Sequence, residues 1–112
     1  SDMSLFGYPA KVVHYHSEKD EWGRPLPPTA TEKPAKVEEE QRLIRNARGE
    51  EVQIAYTIHL EGPHAIAFDD YFEYTNALGV TVRCDVAHFE VKKFLGTDDV
   101  KKVIVYGRPQ QF

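Results

Sequence analysis

Cysteine is nearly absent from this 112-residue chain, which contains only Cys84. A single thiol excludes an internal disulfide and any multi-cysteine zinc module, and it favours a reducing compartment. Val82 and Val86 share the parity of Cys84 on an extended strand, so it reads as a packed apolar side chain, not a nucleophile. Long apolar runs are missing too: no segment approaches the ~20 residues that cross a bilayer. The opening "SDMSLFGYPA" lacks the basic-then-apolar order of a secretory signal, and a soluble, intracellular protein is expected. There is no excess of positive charge either. The net charge is −4 with lysine and arginine dispersed, which argues against nucleic-acid binding, because neutralising phosphates takes clustered basic side chains.

Catalytic signatures are equally sparse. There is no glycine-rich phosphate loop, no GxSxG elbow, no HExxH, and no serine or cysteine with a recognisable base partner. His14 and His16 are two apart and share a strand face, whereas His59, His64 and His88 show no ligand spacing. These histidines read as solvent-facing, with His88 near a bulge, and neither metal nor cofactor is expected. Asp69 and Asp70, if extended, point to opposite faces and cannot work as an acid/base pair; they read as turn residues before "YFEY". An enzyme would need a concave cluster of distant residues such as His14, His88 and Asp70, which spacing does not reveal.

What is present is β-patterning. In "EVQIAYTIHL", Val52, Ile54, Tyr56, Ile58 and Leu60 alternate with polar or small residues, the signature of a strand with one buried face. Upstream, Asn46 and Gly49 in "NARGEE" tolerate positive φ, so the chain can reverse and pair Val37 to Arg45 with Glu51 to Leu60. The first arm also contains good helix formers, but its apolar residues do not recur with a helical period, and strand is the better reading. A second hairpin turns at Asn76 to Gly79. Its second arm carries Val80, Val82, Cys84 and Val86 on one face before the apolar phase shifts to Phe89 and Val91, as a β-bulge would make it do. A last strand, "VKKVIVYG", follows the turn "GTDD". With "AKVVHYH" as the first strand, the fold expected is mainly β: a small six-stranded antiparallel barrel or sandwich with long loops.

Residues 1–9 read as a tag remnant and arm, 10–107 as one barrel domain, and 108–112 as a tail. Within the domain, Ser17 to Pro34 reads as a long exposed loop, because Pro25, Pro27, Pro28 and Pro34 leave it no periodicity for packing. Trp22 in that loop either anchors an interface or folds back over the end of the core. Tyr71 should face away from Phe72 and Tyr74, giving one core face and one interface face.

The succession of these elements carries a resemblance. A first strand, "DEWGRPLP", "RNARGEEVQIAYTIHLEG", "IAFDDYFEY" and "VRCDVAHFEVKKFLGTDDVKKVIVYG" together resemble the small head-closure proteins of tailed bacteriophages, also called head-tail joining or stopper proteins, over Ala10 to Gly107. The resemblance implies a non-enzymatic subunit that assembles as a ring between the portal or adaptor and the tail. It would sit in the virion neck, after assembly in the host cytoplasm, and retain packaged DNA. The implied partners are the portal or adaptor ring, a tail-side protein and further copies of the chain, with no membrane and no specific nucleic-acid site. The interface candidates are Trp22, Arg24, Pro25, Glu38, Glu39, Glu40, Arg48 and Tyr71. Acidic residues such as Glu38 to Glu40 would keep a passing duplex from sticking. Two rivals are another neck or tail-completion protein of similar fold, and a non-viral small barrel that binds a peptide or small ligand.

Overall fold

The computed structural model describes residues 10–109, which form six strands and no helix: β1 (Ala10–Lys19), β2 (Pro25–Arg45), β3 (Glu51–Glu61), β4 (Tyr71–Thr75), β5 (Thr81–Lys93) and β6 (Val100–Pro109). All neighbours are antiparallel and the sheet closes in the order β1-β2-β3-β6-β5-β4. Of the two architectures expected, the barrel is the one adopted. Closure gives every strand two neighbours and leaves no full-length edge.

Strand parity selects the core. Val12, Ile54, Ile58, Leu60, Phe72, Val103 and Val105 are at most 1% exposed, joined by Cys84 and Val86. Burying each such side chain contributes about 1.5–3 kcal/mol, which makes this interior the main source of stability. In β5 the register steps between Val86 and His88, leaving Ala87 as the extra residue. That is the bulge the sequence phase shift implies, and it returns Phe89 to the core cluster. Opposite it, Gly107 leaves room for Cys84: an added Cβ would lie 3.0 Å from the Cys84 Cβ and 3.2 Å from its Sγ.

The segment Ser17 to Pro34 is not a loop. β1 runs on to Lys19, β2 begins at Pro25, and only Asp20–Arg24 turns between them. The four prolines are tolerated for two reasons. Residues 25–35 pair with β1 alone, since β3 joins β2 only from Lys36 onward, so this half of β2 has one free edge that needs no donor. Pro27 and Pro28 also lie opposite the single residue Ser17, where the β1-β2 register shifts. A bulge is a place where proline fits a ladder. The C-terminal boundary moves as well, because Arg108 and Pro109 belong to β6 and pair with Asp85 and Cys84. The arm at 1–9 and the last three residues of the expected tail lie outside the described residues.

Strand directions sort the connections. The Asp20–Arg24 turn, the β3-β4 loop (residues 62–70) and the β5-β6 turn (residues 94–99) leave one end of the barrel; the β2-β3 and β4-β5 turns leave the other.

Candidate functional site

Two features stand out: a buried polar hub at the base of the β1-β2 hairpin, and a set of hairpin tips that carry exposed side chains.

The hub centres on Asp70, 1% exposed at the end of the β3-β4 loop. Its Oδ1 accepts the Ser17 N–H at 2.7 Å, the donor freed by the bulge opposite Pro27 and Pro28. Its Oδ2 accepts the Ala67 N–H at 2.9 Å, His14 Nε2 at 2.8 Å and His16 Nδ1 at 2.9 Å. Lys33, inward on β2, places Nζ 2.8 Å from His14 Nδ1. An ammonium can only donate, so His14 Nδ1 is the acceptor and its proton sits on Nε2, aimed at the carboxylate. His14 also stacks flat on Phe72, with ring centroids 4.5 Å apart.

The charges follow from this arrangement. Burial pushes the Asp70 carboxyl up, but the hydrogen bonds from Ser17, His16, Ala67 and His14 more than offset it and hold the group below its usual value. Burial is the largest influence on His14 and keeps it below its ordinary value; the Asp70 hydrogen bond opposes this and the Lys33 charge adds to it. Burial likewise lowers Lys33, against the pull of Asp70.

His14, His16 and Asp70 bring three potential metal-ligand atoms within 4.8 Å of one another. Their hydrogen-bonding argues for a different role. His14 offers a proton, not a lone pair, toward Asp70, and its other nitrogen faces a cation where a metal-bound histidine would normally donate to an acceptor. The arrangement is a tether. It ties the loop to β1 and to Lys33 of β2, and so fixes the base from which the first hairpin projects. The histidines at 14 and 16 are therefore not the solvent-facing pair expected: His14 is only 2% exposed and lies on the interior face with Val12. His88 is elsewhere, stacked on Tyr106 at 5.8 Å beside the β5 bulge, so it does not join His14 and Asp70. Asp69 is exposed and, among the described residues, accepts only the Ser17 Oγ–H, at 2.9 Å.

The tips share one construction. Asp20, Asn46 and Asn76 each open a turn closed three residues later by Gly23, Gly49 or Gly79, all at φ 79°. In each, the Asx Oδ1 accepts the N–H groups two and four residues on, at 2.8–3.1 Å. Glycine takes that φ most readily, and the Asx side chain replaces the missing ladder partner. The residue just before each glycine is held outward: Trp22 is 72% exposed, Leu78 is 88% exposed, and Arg48 is exposed too. In the β5-β6 turn, Leu95 is fully exposed. Trp22 does not fold back over the core.

The other candidates separate. Arg24 stays at the Trp22 tip, its guanidinium 5.2 Å from the indole and its Nε donating to Asp20 at 2.8 Å, and Pro25 starts β2 beside it. Glu38, Glu39 and Glu40 do not form one patch. Glu38 bonds to His59 at 3.1 Å, while Glu39 and Glu40 are exposed and the β2-β3 register shifts beyond Glu39. Tyr71 faces outward as expected, stacked on Tyr15 at 4.5 Å and capped by the Arg83 guanidinium at 3.7 Å, whereas Phe72 is buried.

The chain matches no family model, no curated protein and no solved structure.

Proposed function

We propose that this chain is a non-enzymatic assembly subunit, a head-tail connector protein of a tailed bacteriophage or prophage that joins a ring between portal or adaptor and tail. The observation that carries the reading is the display of large apolar side chains, Trp22, Leu78 and Leu95, on tight turns at the tips of a closed barrel. Exposing such groups costs solubility, and rigid turns that hold them outward suit a surface buried on assembly. The order of sequence elements that resembles head-closure proteins supplies the kind of assembly.

A barrel that binds a small ligand is less well supported. The groove of about 560 Å³ beside β1 and β4 is lined largely by polar groups, including Lys11, Glu32, Glu73, Asn76 and Thr81, where a ligand site would be mostly apolar. The test is addition of the purified protein to DNA-filled, portal-bearing heads that lack connectors, read by sedimentation and negative-stain microscopy. Density at the portal vertex with reduced DNA leakage is expected. No addition, under conditions where a known connector adds, refutes the reading.

A further inference from the structure

The molecule carries both a projecting anchor and a cavity that suits it. The anchor is the Trp22 turn. Its backbone is tied by the Asp20 carboxylate, and beside the indole stands Glu21, which has no cationic partner among the described residues. The cavity, about 280 Å³, has Phe68, Val86 and Ala87 as apolar walls and Arg48 and Arg108 as its charged lining. Neither guanidinium is paired with a carboxylate among the described residues; Asp85, across the ladder from Arg108, is engaged by Arg83 at 3.4 Å. Phe68 is 61% exposed and packs on Phe89 at 5.1 Å, so an aromatic wall is in place without an occupant among the described residues.

We infer that the Trp22 turn of one copy seats in the Phe68 cavity of a second copy, with Glu21 meeting Arg48. Charge and shape both argue for this occupant. An indole needs an apolar slot large enough for a bicyclic ring, and a carboxylate next to it needs an unpaired guanidinium at the rim. The anchor and Arg48 belong to hairpins that leave opposite ends of the barrel. The contact is therefore between unlike surfaces, and in the head-to-tail arrangement, where two copies do not exchange anchors, it leaves a free anchor and a free cavity after each addition. Such a contact propagates, and it closes into a ring when the rotation allows. This deepens the connector reading and rests on it for the biological setting, while the contact itself can be tested without heads.

The experiment uses a Lys19→Cys, Ala47→Cys double variant, which puts exposed thiols beside the two tips and keeps Glu21 and Arg48, with a bis-maleimide, both in concentrated solution and on portal-bearing heads. A ladder of cross-linked multimers is expected, abolished by adding Trp22→Ala. In parallel, Glu21→Arg and Arg48→Glu should each weaken self-association in sedimentation by about tenfold, and the double charge swap should restore it. Absence of a ladder in both settings overturns the contact, as does a ladder that persists with Trp22→Ala. Addition to heads without cross-linking overturns the contact and leaves the connector reading standing. Cross-linking in solution without addition to heads does the reverse.

Discussion

Replacing Asp70 by alanine removes one acceptor from four donors at once. The Ser17 and Ala67 N–H groups and both histidines lose their partner, at distances that now run from 2.7 to 2.9 Å. A hydrogen bond to a charged group contributes about 1.5–3 kcal/mol, and such bonds to one carboxylate are not additive. Breaking a buried charged network by deleting its centre costs about 3–5 kcal/mol, because the remaining groups are left desolvated and unpaired. The adjacent Asp69 makes the internal control. It is exposed and accepts one hydroxyl, so Asp69→Ala should cost under about 0.5 kcal/mol. Urea unfolding followed by circular dichroism gives both values, with the m-value as a check that the transition stays two-state. Against a total stability of about 5–15 kcal/mol, the Asp70 variant should unfold at a much lower denaturant concentration. A cost below about 1 kcal/mol, or equal costs at the two aspartates, would refute the hub as a structural tether.

Three more outcomes follow from particular contacts. Gly107→Ala places a methyl 3.0 Å from the Cys84 Cβ and should destabilise by about 1–3 kcal/mol, partly recovered by Cys84→Ala, which removes the Sγ at 3.2 Å; a neutral Gly107→Ala would show that β6 can shift freely. Burial pushes the Cys84 thiol up to about 12, so Ellman's reagent should fail to label the native protein and label it at once in urea; rapid native labelling would contradict the packed interior. Burial, as the largest cause, holds His14, His59 and His64 below 6.5 in the fold, so the unfolded chain binds protons first. Stability is therefore full above 6.5 and is lost as pH falls from there through the folded-state values, with a separate loss below 3.8 as Asp70 protonates. Thermal melts across that range should show the loss below 6.5, and a flat profile between neutral pH and 5 would count against the neutral state of buried His14 and half-buried His59 and His64.

The hairpin from Val37 to Leu60 was legible because alternation and turn chemistry agree there, and the pairing Lys36–His59 to Arg45–Glu51 follows it. The β5 bulge was legible as a change of phase. The first hairpin was not, although Asp20 and Gly23 repeat the spacing of Asn46 with Gly49 and Asn76 with Gly79. The prolines outweighed that spacing, since a strand that contains four of them is excluded unless one of its edges is free. Whether an edge is free depends on where β3 begins to pair, which no local pattern records.

The chain by itself determined the β class, the parity of most of the interior, the strand count and three of the tight turns, because these depend on residues within a few positions of one another. Only the tertiary structure decided that the sheet closes, that Asp70 meets His14 and His16 from more than 50 positions away, and that Trp22 stands in solvent. Those outcomes depend on which groups the ring of strands brings within hydrogen-bonding reach, and a buried carboxylate is stable only once all its donors have arrived together.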